Sequence, residues 1–137
     1  MAEEESYFDH DADMGVVGRG PTLEAAFEAA ARATFALMAD PAAVRPRESV
    51  RFEFEEADPE LALVTWLNRL LGEARSVGLA LGRFQLRRDG ARWIGEAWGE
   101  RWRDDLHRGV EVKGATLTML AARPTPSGWE ARCVVDV

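Results

Sequence analysis

Three aspartates near the start of the chain are the residues whose types and spacing best suit chemistry. Asp9, Asp11 and Asp13 occupy alternate positions, with His10 between the first two. On an extended strand alternate side chains share a face, so the carboxylates would lie side by side. Neighbouring carboxylates raise each other's pKa unless a cation lies between them, and oxygen-only ligands suit hard ions such as Ca²⁺ or Mg²⁺. The spacing therefore indicates either a divalent-cation site or a solvated acidic edge.

The same Asp-x-Asp-x-Asp spacing opens the calcium loop of an EF-hand, but the rest of that loop is missing. Counting from Asp9, the sixth position requires glycine and is Met14. The twelfth position requires a bidentate glutamate and is Gly20. The sequence therefore excludes an EF-hand.

The end of the chain is a second candidate for a metal site. Asp136 and the terminal carboxylate of Val137 put two acidic groups on adjacent residues, at the end of an apolar strand. A docked strand that simply ends there is the alternative interpretation. If that end were buried near Asp13, a cation would be needed to offset the repulsion between the carboxylates.

Few other residues could carry chemistry. Lys113 is the only lysine in a chain whose other basic residues are arginines. It could contact a phosphate as a compact point charge, or it could be an ordinary surface lysine. His10 and His107 are the only histidines, and Cys133 is the only cysteine. A lone cysteine forms neither an internal disulfide nor a zinc framework, so we expect Cys133 to be buried in the core.

The composition limits the class of protein. The length of 137 residues predicts one domain, spanning residues 1–137. The net charge of −7 argues against a nucleic-acid grip, because that grip depends on cations that neutralise phosphates. No apolar run reaches the roughly 18 residues of a membrane span, and the acidic N-terminus does not resemble a signal peptide. We therefore expect a cytoplasmic protein without a membrane partner.

Local signals predict two helices. Thr22 should cap a helix that begins at Leu23 and ends near Asp40-Pro41, because a residue before proline is disfavoured in the α region. Asp58-Pro59 should open a second helix as N-cap and first residue, and Gly78 should end it.

The remaining segments read as strands. The predicted strands cover residues 6–17, 50–56, 81–88, 92–98, 110–123 and 129–137, with a turn at 18–21 and a polar loop at 100–108. Asp89-Gly90 predicts a type I′ hairpin. The order predicts an α+β fold, with two helices packed on one face of a largely antiparallel sheet of about six strands.

These segments resemble the motifs of the archease family along nearly the whole chain. In order, the matching segments are residues 7–15 (family "DHTADxG"), 20–27 ("GxTLEEAF"), 66–71 ("WLNELL"), 97–100 followed by His107, 111–113, and the terminal Asp136-Val137. One match would be weak, but six in order are specific.

The resemblance implies an accessory protein rather than an enzyme. Its partner would be an RtcB-type GTP-dependent RNA ligase, which joins RNA ends in tRNA splicing, other tRNA processing and RNA repair. The accessory protein would promote guanylylation of the ligase and multiple turnover, contacting RNA only through the ligase. We expect a chaperone-like monomer. The family fold is a strand-helix-strand-strand unit with a similar unit inserted.

The resemblance also implies a site. A divalent ion, expected to be Ca²⁺ with Mg²⁺ or Mn²⁺ as alternatives, would lie between Asp13, Asp136 and Val137. Lys113 matches the family's functional lysine. Further partner or accessory positions are His10, Asp11 and His107. No residue is expected to be catalytic.

The chain departs from the family pattern around these positions. Asp11 stands where threonine is usual and adds a carboxylate. Val110, Leu117 and Thr118 stand where the family has threonine, tyrosine and histidine, so the surroundings of Lys113 are less polar.

Two other functions stay open at the level of sequence. A metal-dependent phosphohydrolase would use the aspartates as metal ligands and His10 or His107 as a general base. A metal-independent chaperone or interaction module would dock its acidic surface on basic clients.

Overall fold

Eight strands and two α-helices form the part of the chain that the structure, a computed structural model, describes: residues 6–10 and 13–137. The strands are β1 (Tyr7–His10), β2 (Asp13–Gly20), β3 (Glu48–Glu55), β4 (Leu79–Asp89), β5 (Arg92–Arg101), β6 (Gly114–Ala115), β7 (Ala121–Thr125) and β8 (Gly128–Asp136). The helices are α1 (Leu23–Ala36) and α2 (Pro59–Val77), with a short 3₁₀ helix at Pro41–Ala43. The strand pairs are antiparallel, so the predicted α+β class is confirmed.

The strands form two sheets rather than the single sheet of about six strands that we expected. One sheet has the order β1-β2-β8, with β6 and β7 both paired to β8, and the other has the order β3-β5-β4. Helix α1 contacts β2 and β8 of the first sheet and β4 of the second. Helix α2 contacts β6 and β7 of the first sheet and β3 and β4 of the second. Each helix therefore covers apolar surface of both sheets, which local periodicity does not reveal.

The helix ends follow the predicted caps. The Thr22 hydroxyl accepts a hydrogen bond from the Ala25 amide at 3.0 Å, and the Asp58 carboxylate accepts one from the Glu60 amide at 2.9 Å. Gly78 ends α2 in the left-handed conformation, at a φ of 71°. Helix α1 ends at Ala36, before the predicted boundary at Asp40-Pro41.

Two buried tryptophans link the helices to the second sheet. Trp66 on α2 and Trp93 on β5 are fully buried. The indole N–H of Trp66 donates to the Phe27 carbonyl at 2.9 Å, and that of Trp93 donates to the Glu56 carbonyl at 2.9 Å. The Phe27 ring stacks on Trp93, with ring centroids 5.4 Å apart. Because each indole N–H has a partner, the two large rings are buried without leaving a polar group unsatisfied.

The N-terminal strand prediction was wrong in two respects. Instead of one strand over residues 6–17, β1 and β2 form an antiparallel pair in which His10 faces Asp13. Residues 18–20 continue β2 instead of forming a turn. A Cβ atom on Gly18 would lie 2.3 Å from the Ala26 carbonyl oxygen. The glycine therefore allows β2 to approach α1 closely, a tertiary role that its sequence neighbours do not reveal.

The segment between residues 100 and 123 also differs from expectation. Strand β5 continues to Arg101, residues 102–113 contain no regular element, and the predicted strand over 110–123 is replaced by β6 and β7. Met119 has a φ of 51°, which no regular strand accommodates. The segment is shaped by long-range hydrogen bonds to the helices, described below.

The β4–β5 hairpin was predicted correctly, but its turn is shifted by one residue. Asp89 pairs with Arg92, so the two turn residues are Gly90 and Ala91. Only Gly90 has a positive φ, 62°, as in a type II′ rather than a type I′ turn.

Neither helix of the described residues is both long and apolar enough to cross a membrane.

Candidate metal and partner site

Asp13 and Asp136 lie at the same end of two neighbouring strands. Strands β2 and β8 are antiparallel, with Met14 opposite Val135, and Asp13 begins β2 while Asp136 ends β8. The pairing of the two strands ends at Met14 and Val135, so Asp13 and Asp136 are the next residues along each strand. Asp13 is half-buried and Asp136 is exposed. Two aspartates far apart in sequence thus lie at the same end of the five-stranded sheet.

Lys113 reaches the same end from the other side of β8. Its backbone N–H donates to the Asp136 carbonyl at 2.7 Å, and the next residue, Gly114, pairs with Asp136. The Lys113 residue is exposed, so its ammonium group is accessible to a ligand or partner. The structure therefore places three of the residues that the sequence singled out at the same end of the five-stranded sheet.

Helix α2 holds the segment that carries Lys113. The Asn68 side chain pairs with both polar groups of Ala115: it accepts from the Ala115 N–H at 2.8 Å and donates to the Ala115 carbonyl at 3.2 Å. Two turns further along, one terminal nitrogen of Arg75 donates to the carbonyls of Val112 at 2.7 Å and Lys113 at 2.5 Å. These bonds support the backbone on both sides of Lys113.

Sequence reasoning missed Asn68 and Arg75. A signal was available, since Asn68 is a polar residue inside the apolar run of residues 66–71. Arg75 follows seven residues later and therefore lies on the same helical face. What could not be foreseen was the partner, because both side chains bind backbone groups of a distant segment.

Helix α1 supports the preceding residues of this segment. The N–H groups of Gly109 and Val110 donate to the carbonyls of Met38 at 2.7 Å and Leu37 at 2.8 Å, satisfying acceptors beyond the end of the helix. A Cβ atom on Gly109 would lie 2.2 Å from the Leu37 oxygen, so only glycine permits this approach. Residues 109–115 are thus tied to both helices.

The residues that depart from the family pattern lie on the surface of this segment. Val110, Leu117 and Thr118 are exposed. The backbone beside them is supported independently of their side chains: the Thr116 N–H and hydroxyl both donate to the Val134 carbonyl, at 2.9 Å and 2.8 Å. The departures therefore change the surface next to Lys113 and leave the backbone path intact.

The donor atoms at this end suit a hard cation but do not enclose one. Among the described residues, no group of three or more His, Cys, Asp or Glu side chains could hold a metal ion. Asp13 and Asp136 contribute two side-chain carboxylates, and the Val137 side chain packs against the core. Oxygen donors of this kind fit Ca²⁺, with water completing its coordination shell.

Glu100 holds the start of the 102–113 segment. Its buried carboxylate accepts from the Arg45 N–H at 2.6 Å and from the Arg103 guanidinium at 3.0 Å. The hydrogen bond from Arg103, then that from the Arg45 backbone, lowers the pKa of Glu100 to about 2. Arg103 also donates to the Ala43 carbonyl at 2.9 Å, which ties this corner to the 3₁₀ helix.

The other candidate residues lie elsewhere or cannot be placed. His107 is exposed and lines a separate depression with Arg103 and Leu106. The backbone of His10 pairs with that of Asp13, whereas Asp11 is outside the described residues. Cys133 is buried as expected, and burial raises the pKa of its thiol to about 12, so it is protonated and unreactive at neutral pH.

The fold and the site together define the class of protein: a small α+β protein with two aspartates and a lysine at one end of a sheet. The chain matches the archease protein family (MTH1598/TM1083) over residues 6–137. It is 37% identical to protein archease of Thermococcus gammatolerans and 35% identical to protein archease of Saccharolobus solfataricus, with 96% of each chain covered in both comparisons. The chain therefore belongs to the archease family.

Solved structures have the same fold. The solution structure of protein 1598 of Methanobacterium thermoautotrophicum matches with a TM-score of 0.76 and 28% identity, covering 96% of this chain and 97% of the other. The crystal structure of a Thermotoga maritima archease, described as a possible chaperone, matches with a TM-score of 0.68 and 19% identity over the full length of both. At that identity the second likeness concerns the fold alone.

Proposed function

We propose that this protein is a metal-binding accessory factor that activates an RtcB-type GTP-dependent RNA ligase, as a monomer in the cytoplasm. It would promote guanylylation of the ligase and repeated turnover in tRNA splicing or RNA repair, without catalysing a reaction itself. The observation that carries this proposal is the position of Asp13, Lys113 and Asp136 at the same end of the five-stranded sheet.

Unpaired charge at this end is the reason to expect a cation. Within the described residues, neither the Asp13 nor the Asp136 side chain forms an ion pair, although the chain contains 16 arginines besides Lys113. Two adjacent carboxylates without a cation repel each other. Asp13, Asp136 and the Val137 carboxylate would hold Ca²⁺, or Mg²⁺ or Mn²⁺ in its place. The ion would supply positive charge that offsets nucleotide phosphates at the ligase.

Lys113 would supply a second positive charge beside the ion. Its backbone is held through Arg75 and Asp136, whereas its side chain is exposed. The flexible four-carbon stem of a lysine would let the ammonium group reach a phosphate on a partner. The acidic protein surface would favour encounter with a basic, RNA-binding ligase. The residues of the chain thus orient charge at the ligase, where the chemistry takes place.

A metal-independent chaperone or interaction module is the second candidate. Leu117 and Met119 are 65% and 51% exposed in the connection between β6 and β7, and this apolar pair could contact clients. A phosphohydrolase could not use His107 as its general base, because His107 lines a different depression from the aspartates. It would have to use His10, whose backbone pairs with that of Asp13.

The test is multiple-turnover RNA ligation by the cognate ligase with GTP, with substoichiometric amounts of this protein. Asp13→Asn, Asp136→Asn and Lys113→Gln should each abolish acceleration while single-turnover ligation by the ligase stays unchanged. The matched control is Asp89→Asn on the β4–β5 hairpin, which should accelerate ligation as the wild type does.

The outcomes separate the candidates. Unaltered acceleration by Asp136→Asn would refute the assigned site, and absence of acceleration by the wild type with a competent ligase would refute the ligase role. Suppression of client aggregation that survives chelation and is lost in Leu117→Ser would favour the chaperone. Turnover of nucleotides or phosphoesters by the protein alone would favour the phosphohydrolase.

A further inference from the structure

A cavity of about 500 Å³ lies behind the segment that leads to Lys113. Helices α1 and α2 and the start of β4 form its floor, where Phe35, Leu71 and Leu81 are buried apolar residues. Residues 108–112 and Trp102 form the opposite wall. The volume is within the range of small-molecule sites, about 300–1,000 Å³, which are typically apolar with a few polar groups.

The charged groups around this cavity have a net positive charge. Arg75, Arg108 and Glu111 are its charged lining residues. The guanidinium carbon of Arg108 lies 3.8 Å from the centroid of the Trp102 ring, a cation–π contact that holds the charge at the cavity. Among the described residues, Arg108 has no carboxylate partner. One positive charge is therefore in excess in a protein whose net charge is −7.

We propose that this cavity binds a small organic monoanion with an apolar body. The buried floor would cover the apolar body, and Arg108 would pair with the anionic group at the wall. Glu111 would repel a second negative charge, so a carboxylate, sulfonate or phosphodiester is favoured over a dianionic phosphate monoester. The site is separate from the aspartates and does not depend on the ligase role.

Arg75 connects this cavity to the other site. It lines the cavity and also donates to the carbonyls of Val112 and Lys113. A ligand that draws the guanidinium inward would compete for these bonds. Occupancy would therefore alter the backbone at Lys113 without a direct contact between the ligand and the lysine.

The first test uses two fluorescent probes that differ in charge. Anilinonaphthalene sulfonate is an aromatic monoanion, and phenylnaphthylamine is its neutral counterpart. We expect saturable one-to-one binding of the anionic probe, weakened about three- to fivefold by Arg108→Gln, because an exposed ion pair contributes up to about 1 kcal/mol. The neutral probe should bind Arg108→Gln and wild type equally. The control Arg87→Gln, an exposed arginine of β4, should leave both affinities unchanged.

A second measurement locates the probe in the wild-type protein. Amide NMR shifts on titration should concentrate at residues 74–80 and 108–113 and include Lys113. Non-saturable binding, shifts confined to other surfaces, or equal loss of affinity in Arg87→Gln would overturn the proposal. Filling the cavity with Ala74→Phe should abolish binding; because that variant could misfold, its melting curve must be cooperative before the result counts. Undiminished binding by folded Ala74→Phe would also overturn it.

Discussion

The protein holds its carboxylates in two contrasting ways. Glu100 and Glu130 are buried and surrounded by arginines, whereas Asp13 and Asp136 stand at the end of the five-stranded sheet without an ion pair among the described residues. Burying a carboxylate is unfavourable unless cations and hydrogen bonds compensate it. Glu100 and Glu130 therefore stabilise the fold through their arginines. Asp13 and Asp136 are the carboxylates at which an external cation would be stabilising.

Glu130 shows how closely arginines surround a buried carboxylate. Its side chain is 9% exposed and lies 2.9 Å from a terminal nitrogen of Arg123 and 3.3 Å from Nε of Arg19. Burial alone would raise the pKa of Glu130, but the hydrogen bond from Arg123 and the charges of Arg123, Arg132 and Arg19 lower it overall. The chain thus has arginines available for carboxylates that need them, yet none of the described ones pairs with Asp136.

The largest expected difference between the buried glutamates and the two aspartates is in how stability changes at acidic pH. The pKa of Glu100 falls from 4.5 to about 2 on folding. Its stabilising contribution is therefore complete above pH 4.5 and is lost as the pH falls from about 4.5 to about 2. Urea denaturation should show Glu100→Gln to be less stable than wild type at pH 7, with the difference shrinking toward pH 2. A constant difference across this range would contradict the assignment.

The next effect concerns Glu130. Glu130→Gln leaves Arg123 and Arg132 without their carboxylate, and we expect a loss of about 1–2 kcal/mol in the free energy of unfolding. The partial exposure of the arginines limits the cost. The matched change Asp136→Asn should lie within about 0.5 kcal/mol of wild type in the absence of metal. Equal destabilisation of both variants would refute the distinction between the glutamates surrounded by arginines and the aspartates without an ion pair.

Added Ca²⁺ should stabilise the protein through the two aspartates and independently of Glu130. At a Ca²⁺ concentration ten times the dissociation constant, binding would stabilise the wild type by about 1.4 kcal/mol, and chelation would remove the effect. Asp13→Asn and Asp136→Asn should abolish the rise in melting temperature, whereas Glu130→Gln should keep it. A rise that persists in Asp136→Asn would locate the ion elsewhere.

The smallest effect is expected at the support for Lys113. Asn68→Ala removes two hydrogen bonds to Ala115 at an exposed position, and we expect a cost of about 0.5–1 kcal/mol. Hydrogen exchange at the Ala115 amide should accelerate, while exchange in the β4–β5 hairpin stays unchanged. Equal protection of Ala115 in variant and wild type would show that Asn68 does not hold this strand.

Local rules predicted the parts of the fold that depend on neighbouring residues. Thr22, Asp58 and Gly78 act within one turn of their own helix, and the β4–β5 hairpin closes through two residues. The segment after Arg101 could not be predicted in this way. Its path depends on Arg75, Asn68 and the carbonyls of Leu37 and Met38, which lie about 40 to 70 residues earlier in the chain.

The same distinction between local and long-range information applies to the candidate site. The sequence by itself determined which groups are present: Asp13, Asp136 and Lys113, their charges, and the family to which they are matched. Only the tertiary structure decided that they share one end of a sheet, because β2 and β8 pair across more than a hundred residues and β6 joins β8 from the other side. Chemical type is a property of single residues, whereas proximity results from pairing between distant strands, which the alternation of side chains along one strand does not encode.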